Sequence, residues 1–149
     1  MFVCAAGNNG KDNDEYPFYP SNYSVSPYIQ KKLISVGSID VLGNKAHNSN
    51  YGSMTVNLFA PGVGIWSTYP TNLESSKEGY AYKNGTSMAA PFVTGVAALL
   101  FSEYVNNSHG LQREEIAEQV KATILTNVNV DSKYFDYCRT GGRLNAEKV

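Results

Sequence analysis

Cysteine, charge and long apolar runs are all scarce in this sequence. Two cysteines, Cys4 and Cys138, stand among 149 residues, too few for the disulfide framework of a small secreted scaffold. Cys4 lies in an apolar stretch and reads as a small buried hydrophobe. A Cys4–Cys138 bridge stays open as the alternative. Charged residues make up 17% of the chain, with a net charge of -1 and no basic run. Nucleic-acid binding therefore lacks its electrostatic basis. No uninterrupted apolar run is long enough for a bilayer; Val96 to Phe101 falls far short, so no membrane partner is expected. The apolar start, Met1 to Ala6, has no basic flank and runs straight into Gly7-Asn8-Asn9-Gly10, so no signal-peptide pattern is present.

The remainder is ordinary for a folded chain. A length of 149 residues suggests one domain, 1–149, and 42% hydrophobic residues can fill a real core. Met1 to Ala6 reads as a buried strand that stops at glycine. A domain rarely starts inside such a strand, which points to missing upstream sequence. Asn8 to Ser26 is a loop rich in Asn, Asp, Pro and Tyr. Leu33 to Asp40 and Val56 to Ala60 read as strands, the second stopped by Pro61-Gly62. Gly64 to Thr68 is extended, Tyr69 to Glu78 is a polar loop, and Tyr80-Ala81-Tyr82 forms one arm of a hairpin. Met88 to Tyr104 is apolar at Ala89, Ala90, Val93, Val96, Ala97, Leu100 and Phe101, the spacing of a helix. Ala98 and Leu99 make it apolar almost all round, so it is expected to be buried at the centre of a layered fold. Arg113 to Leu125 is an amphipathic helix with Glu114 and Glu115 near its start, where the helix dipole favours them. The fold class is α/β.

The segment Asn84-Gly85-Thr86-Ser87-Met88-Ala89-Ala90-Pro91 carries the chemistry. Ser87 follows a glycine turn at the start of a long helix, beside unpaired backbone N–H groups and the positive end of the helix dipole. Those groups can stabilise an oxyanion. The plainer reading makes Ser87 a helix N-cap and Pro91 an early-helix proline. The second motif is Ala5-Ala6-Gly7-Asn8-Asn9-Gly10, which on its own signals only a turn after a strand.

Together these stretches resemble the nucleophile and oxyanion motifs of the subtilisin-like serine proteases (subtilases, peptidase S8). Tyr19-Pro20-Ser21-Asn22-Tyr23, Leu33 to Ser38, Asn50-Tyr51-Gly52, Ala60-Pro61-Gly62-Val63, Ile65 to Thr68 and Gly141 to Asn145 follow the family pattern in the same order. The resemblance implies Ser87 as nucleophile and Asn8 as an oxyanion donor together with the Ser87 N–H. Within that family, losing the asparagine costs roughly 2.7–4 kcal/mol, a figure that belongs to the family rather than to this chain. It implies substrate contacts at Ala5, Ala6, Gly7 and Thr86, a specificity pocket near Phe18, and a cis bond before Pro20. The implied architecture is a subtilisin-like three-layer fold with a mainly parallel sheet, incomplete at its N-terminal side. The implied partner is a polypeptide substrate, and the family expectation for location is the secretory pathway.

The family's Asp and His come before its oxyanion asparagine, in the order Asp, His, Ser. Neither residue type precedes Asn8 here. His47 sits after a polar turn and reads as a solvated loop residue. His109 lies beyond the far end of the nucleophile helix, out of reach of Ser87. Without a base Ser87 is an unactivated alcohol. The chain alone is therefore expected to be inactive, with the missing N-terminal half of a catalytic domain as a partner. A non-catalytic remnant acting as a binding protein is the alternative. No cofactor or metal is expected. Asp12, Asp14 and Glu15 leave a weak calcium site open beside the plainer reading of a solvated loop. Sequons occur at Asn22, Asn84 and Asn106, the last best placed to carry a sugar.

Overall fold

Alternating side chains along two short strands set the centre of the fold. The structure is a computed structural model and describes residues 1–70, 79–107 and 110–149. Among the described residues seven strands form: β1 Phe2–Ala5, β2 Leu33–Ile39, β3 Leu58–Pro61, β4 Ile65–Thr68, β5 Tyr80–Lys83, β6 Asn129–Val130 and β7 Gly142–Arg143. The same residues form two α-helices, α1 Thr86–Asn107 and α2 Arg113–Thr126. The main sheet has the order β1-β2-β3-β7-β6, parallel throughout except where β6 meets β7. The hairpin β4–β5 is antiparallel and separate.

The strand period of two divides the core. Ile34 and Val36 of β2 and Leu58 and Ala60 of β3 face Ala89, Val93 and Ala97 of α1 and Ile116, Val120 and Ile124 of α2. Burying each large aliphatic side chain contributes about 1.5–3 kcal/mol. The opposite face carries Ile39 and Phe59, which pack on Ala6, Val56, Tyr134 and Cys138. Loops and a 3₁₀ turn cover that face, and among the described residues both α-helices lie on the first. Gly37 lets the Phe59 ring lie flat on β2, because a Cβ there would enter the ring. The Tyr134 hydroxyl donates to the Gly43 carbonyl and pins the turn after β2.

The structure corrects several expectations. The strand beginning at Phe2 is not buried: Phe2 is exposed, Val3 to Ala5 are half-buried, and β1 pairs only with β2, leaving its outer edge unpaired among the described residues. The helix α1 is not buried all round. Thr86, Ala89, Val93, Ala97 and Leu100 are covered, whereas Leu99 is 75% exposed and Phe92 43%. Periodicity alone counts apolar positions without saying what covers them. Although no unbroken apolar run is long, α1 contains an 18-residue stretch with a mean hydropathy of 1.5, long and apolar enough to cross a membrane. Its packing against β1, β2, β3 and α2 makes it a core helix covered on one side. The two cysteines are free thiols, Cys138 buried and Cys4 half-buried, so no bridge forms. Most of the polar loop predicted from Tyr69 to Glu78 lies outside the described residues. Its hairpin neighbour, β5, forms as predicted.

Candidate active site

Two loops meet above the carboxyl end of the sheet. The first leaves β1 through buried Ala6 and turns at Gly7, whose φ is 109°. That left-handed backbone favours glycine. A Cβ at Gly7 would also lie 2.5 Å from Asn50 Nδ2 and 3.2 Å from the Phe18 ring. Phe18 thus stands directly beside the turn, and the Tyr19–Pro20 bond is cis. The second loop leaves β5. The Asn84 Oδ1 accepts the Gly64 N–H at 2.6 Å, and the Gly85 N–H donates to the Gly62 carbonyl at 2.7 Å. Gly62 has to be small, since a Cβ there would lie 2.7 Å from the Gly85 oxygen.

Asn8 and Thr86 join the loops. The Asn8 Oδ1 accepts the Thr86 N–H at 2.9 Å and the Thr86 hydroxyl at 3.1 Å. The Thr86 Oγ1 accepts the Gly7 N–H at 3.2 Å. A backbone N–H can only donate, so the Asn8 atom facing it is the oxygen, and the amide nitrogen points the other way. That nitrogen has no hydrogen-bond partner among the described residues. Asn8, not Ser87, is thus the side chain that satisfies a free N–H at the start of α1. Ser87 follows immediately and is exposed. Neither its N–H nor its hydroxyl has a partner among the described residues. Thr86 and Ala6 are fully buried, Ala5 is half-buried, and Gly7 is buried.

Loop 8–26 is held by asparagines that the motif reading did not single out as a network. The Asn50 Oδ1 accepts the N–H groups of Asn9 at 2.8 Å and Lys11 at 3.2 Å. The Asn50 Nδ2 donates to the Asn13 Oδ1 at 2.9 Å, and the Asn13 Nδ2 donates to the Ala6 carbonyl at 2.8 Å. Asn22 donates to the Asn13 carbonyl and accepts from the Phe18 N–H, so this buried sequon asparagine is not open to a sugar. Asn106 is exposed.

A cleft of about 480 Å³ opens beside Ser87, lined by Trp66, Tyr69, Lys83, Met88 and Phe92 among others. The hairpin forms one wall of the cleft through Ile65 to Tyr69, Ala81 and Lys83, while Trp66 also stacks on Tyr80 at 5.9 Å and meets Tyr82 at 4.6 Å. A second cleft, of about 680 Å³, reaches Asn84 from the side of Asp40, Lys45 and His47. No hydrogen bond joins His47 to Ser87 among the described residues. His109 lies outside them. The Lys45 ammonium donates to the Ala46 and Ser49 carbonyls and sits 5.2 Å from the Tyr51 ring and 5.5 Å from the Tyr137 ring.

The acidic cluster is otherwise engaged. Asp14 accepts from the Met54 and Thr55 N–H groups and from the Ser53 and Thr55 hydroxyls. Asp12 accepts the Asp14 N–H at 2.9 Å. Among the described residues no three His, Cys, Asp or Glu side chains gather to hold a metal. Lys121 was not anticipated. It is only 9% exposed, and its ammonium donates to the Gln30 carbonyl and, at 2.6 Å, to the Leu33 carbonyl. Burial, with Arg139 nearby, pushes its pKa down to about 8. A signal was present in the sequence, because Lys121 falls on the same helical stripe as Ala117, Val120 and Ile124.

A family model described as the subtilase family matches residues 1–142. The thermophilic serine proteinase of Bacillus sp. (strain AK1) is 39% identical over 147 residues, covering 98% of this chain and 29% of that protein. Subtilisin DY of Bacillus licheniformis is 36% identical over 136 residues, covering 91% of this chain and 42% of its own length. Among solved structures, the self-cleaved protease domain of PatA superposes with a TM-score of 0.66 at 29% identity, covering 99% of this chain and 48% of that one. The chain thus spans less than half the length of these relatives.

Proposed function

The chain belongs to the subtilase family, and we propose that it contributes the nucleophile Ser87 and the oxyanion donor Asn8 to a serine endopeptidase acting on polypeptide substrates. The observation that carries this reading is the Asn8–Thr86 junction, which sets a free side-chain amide next to an exposed serine at a helix start. In this reading the Ser87 hydroxyl attacks the scissile carbonyl. The developing oxyanion accepts hydrogen bonds from the Asn8 amide and the Ser87 N–H, and the helix dipole adds to them. In this reading the Asn8–Thr86 contact holds the two donors before substrate arrives. Thr86 acts as a positioning residue, and Ala5 to Gly7 form a wall beside the substrate.

The proton on Ser87 needs an acceptor within about 3 Å. Neither His47 nor any other described residue is bonded to it. The Asp and His of the family pattern are therefore assigned to polypeptide other than these 149 residues, and the chain alone is an incomplete enzyme. Without triad partners, turnover in such a site falls by about 10⁶, leaving only what oxyanion stabilisation and binding supply. Hydrolysis of a fluorogenic peptide by the purified chain is expected to stay near background and to be unchanged by Ser87→Ala. Robust turnover that Ser87→Ala abolishes would show that a base is present and that this division of labour is wrong.

The alternative, a non-catalytic remnant that binds other proteins, draws on the exposed Phe92 and Leu99 of α1. Adding a polypeptide that carries the Asp and His separates the two. Recovered turnover supports the enzyme, and binding without turnover supports the remnant.

A further inference from the structure

A charged cleft lies away from Ser87, where the turn at Gln30–Lys32 meets α2 and the segment Arg139–Thr140. Its volume is about 500 Å³, and it is lined by Gln30, Lys31, Lys121, Leu125, Arg139 and Thr140. Three of these residues are cationic and none is acidic, in a protein whose net charge is -1. We propose that this cleft binds a small phosphate-type oxyanion, gripped by Lys121, Arg139 and Lys31.

Three observations support the assignment. Lys121 is almost fully buried, and its ammonium spends two of its three N–H donors on the Gln30 and Leu33 carbonyls. A buried cation without an opposite charge is costly, and no salt bridge to Lys121 occurs among the described residues. Arg139 stands close enough to push the Lys121 ammonium toward its neutral form, and it too makes no ion pair there. An anion between the two would relieve both. A guanidinium fork beside a point-charge ammonium also suits a tetrahedral oxyanion. The nearby carboxylates are spoken for. Glu118 pairs with Lys31 at 3.4 Å, and Glu115 accepts the Gln112 N–H at 2.7 Å. Lys31 is well exposed, so it can swing from Glu118 to a ligand at little cost.

Thermal unfolding of the whole chain against inorganic phosphate, with sodium chloride at matched ionic strength, tests the proposal. Phosphate is expected to raise Tm in a saturable way that chloride does not reproduce. Arg139→Ala, at an exposed position that leaves the core intact, should weaken the apparent affinity by about tenfold, and Lys31→Ala by less. Phosphate also stabilises proteins generally by exclusion from their surface. A Tm rise that persists undiminished in Arg139→Ala is that general effect and overturns the site, as does a rise no larger than chloride gives. A parallel titration with O-phosphoserine separates free from esterified phosphate, and saturable binding of either one supports the site.

Discussion

Replacing Asn8 by alanine and by aspartate separates the two tasks its side chain performs. Alanine removes the oxygen that accepts the Thr86 N–H at 2.9 Å and the Thr86 hydroxyl at 3.1 Å. Losing a capping side chain of this kind costs about 0.5–2 kcal/mol. The upper end is expected here, because Thr86 is fully buried and its N–H would be left without a partner. Aspartate keeps the acceptor and adds a negative charge at the helix start, a change of about 0.3–1 kcal/mol in the favourable direction. It also removes the amide donor. Urea unfolding should therefore rank stability as Asn8→Asp at or above the natural chain, with Asn8→Ala about 1–2 kcal/mol below it. If peptide hydrolysis is restored by a polypeptide carrying the Asp and His, both variants should lose turnover together, by roughly 10²–10³ as for oxyanion donors generally. An alanine variant as stable as the natural chain would refute the capping geometry. So would an aspartate variant as unstable as alanine.

Three further outcomes follow from the packing. Gly37→Ala drives a methyl into the Phe59 ring and should cost about 1–3 kcal/mol, read as a lower urea midpoint with unchanged slope. Lys121 titrates near pH 8 when folded and well above that when unfolded. Below pH 8 both states are protonated and the burial cost is complete; as pH rises from 8 toward about 10.4 the folded state sheds its proton first, so stability should rise, by at most about 3 kcal/mol. Lys121→Met should abolish that rise, and a variant with the same pH profile as the natural chain would refute it. Leu99→Glu, on the uncovered face of α1, should leave the unfolding midpoint within about 0.5 kcal/mol and reduce self-association in sedimentation, whereas a large loss of stability would mean that this face is packed.

Strands β1 to β5 and both helices were legible because their patterns are local, whereas β6 and β7, two residues each, are too short to show one. The edges of α1 were less so: the pattern begins at Met88, but the helix begins at Thr86, where a residue far away in sequence supplies the cap. The exposure of Leu99 and Phe92 was illegible, since an apolar residue does not announce its neighbour. Asn8 and Ser87 stood out through their motifs, yet the link that Thr86 makes between their loops joins residues 78 apart in the chain and has no local signal. Lys121 was overlooked for a related reason. A lysine on an apolar stripe reads as a surface residue until the carbonyls of Gln30 and Leu33 are brought to it.

The knot at Thr86 has an evolutionary reading. A lineage that gave up proteolysis would still be pressed to keep a hydrogen-bond acceptor at position 8, simply to remain folded. Among the described residues nothing comparable restrains position 87, whose hydroxyl makes no hydrogen bond to any of them. Under the proposed function, the residue at position 87 is therefore the more diagnostic of the two for chemistry.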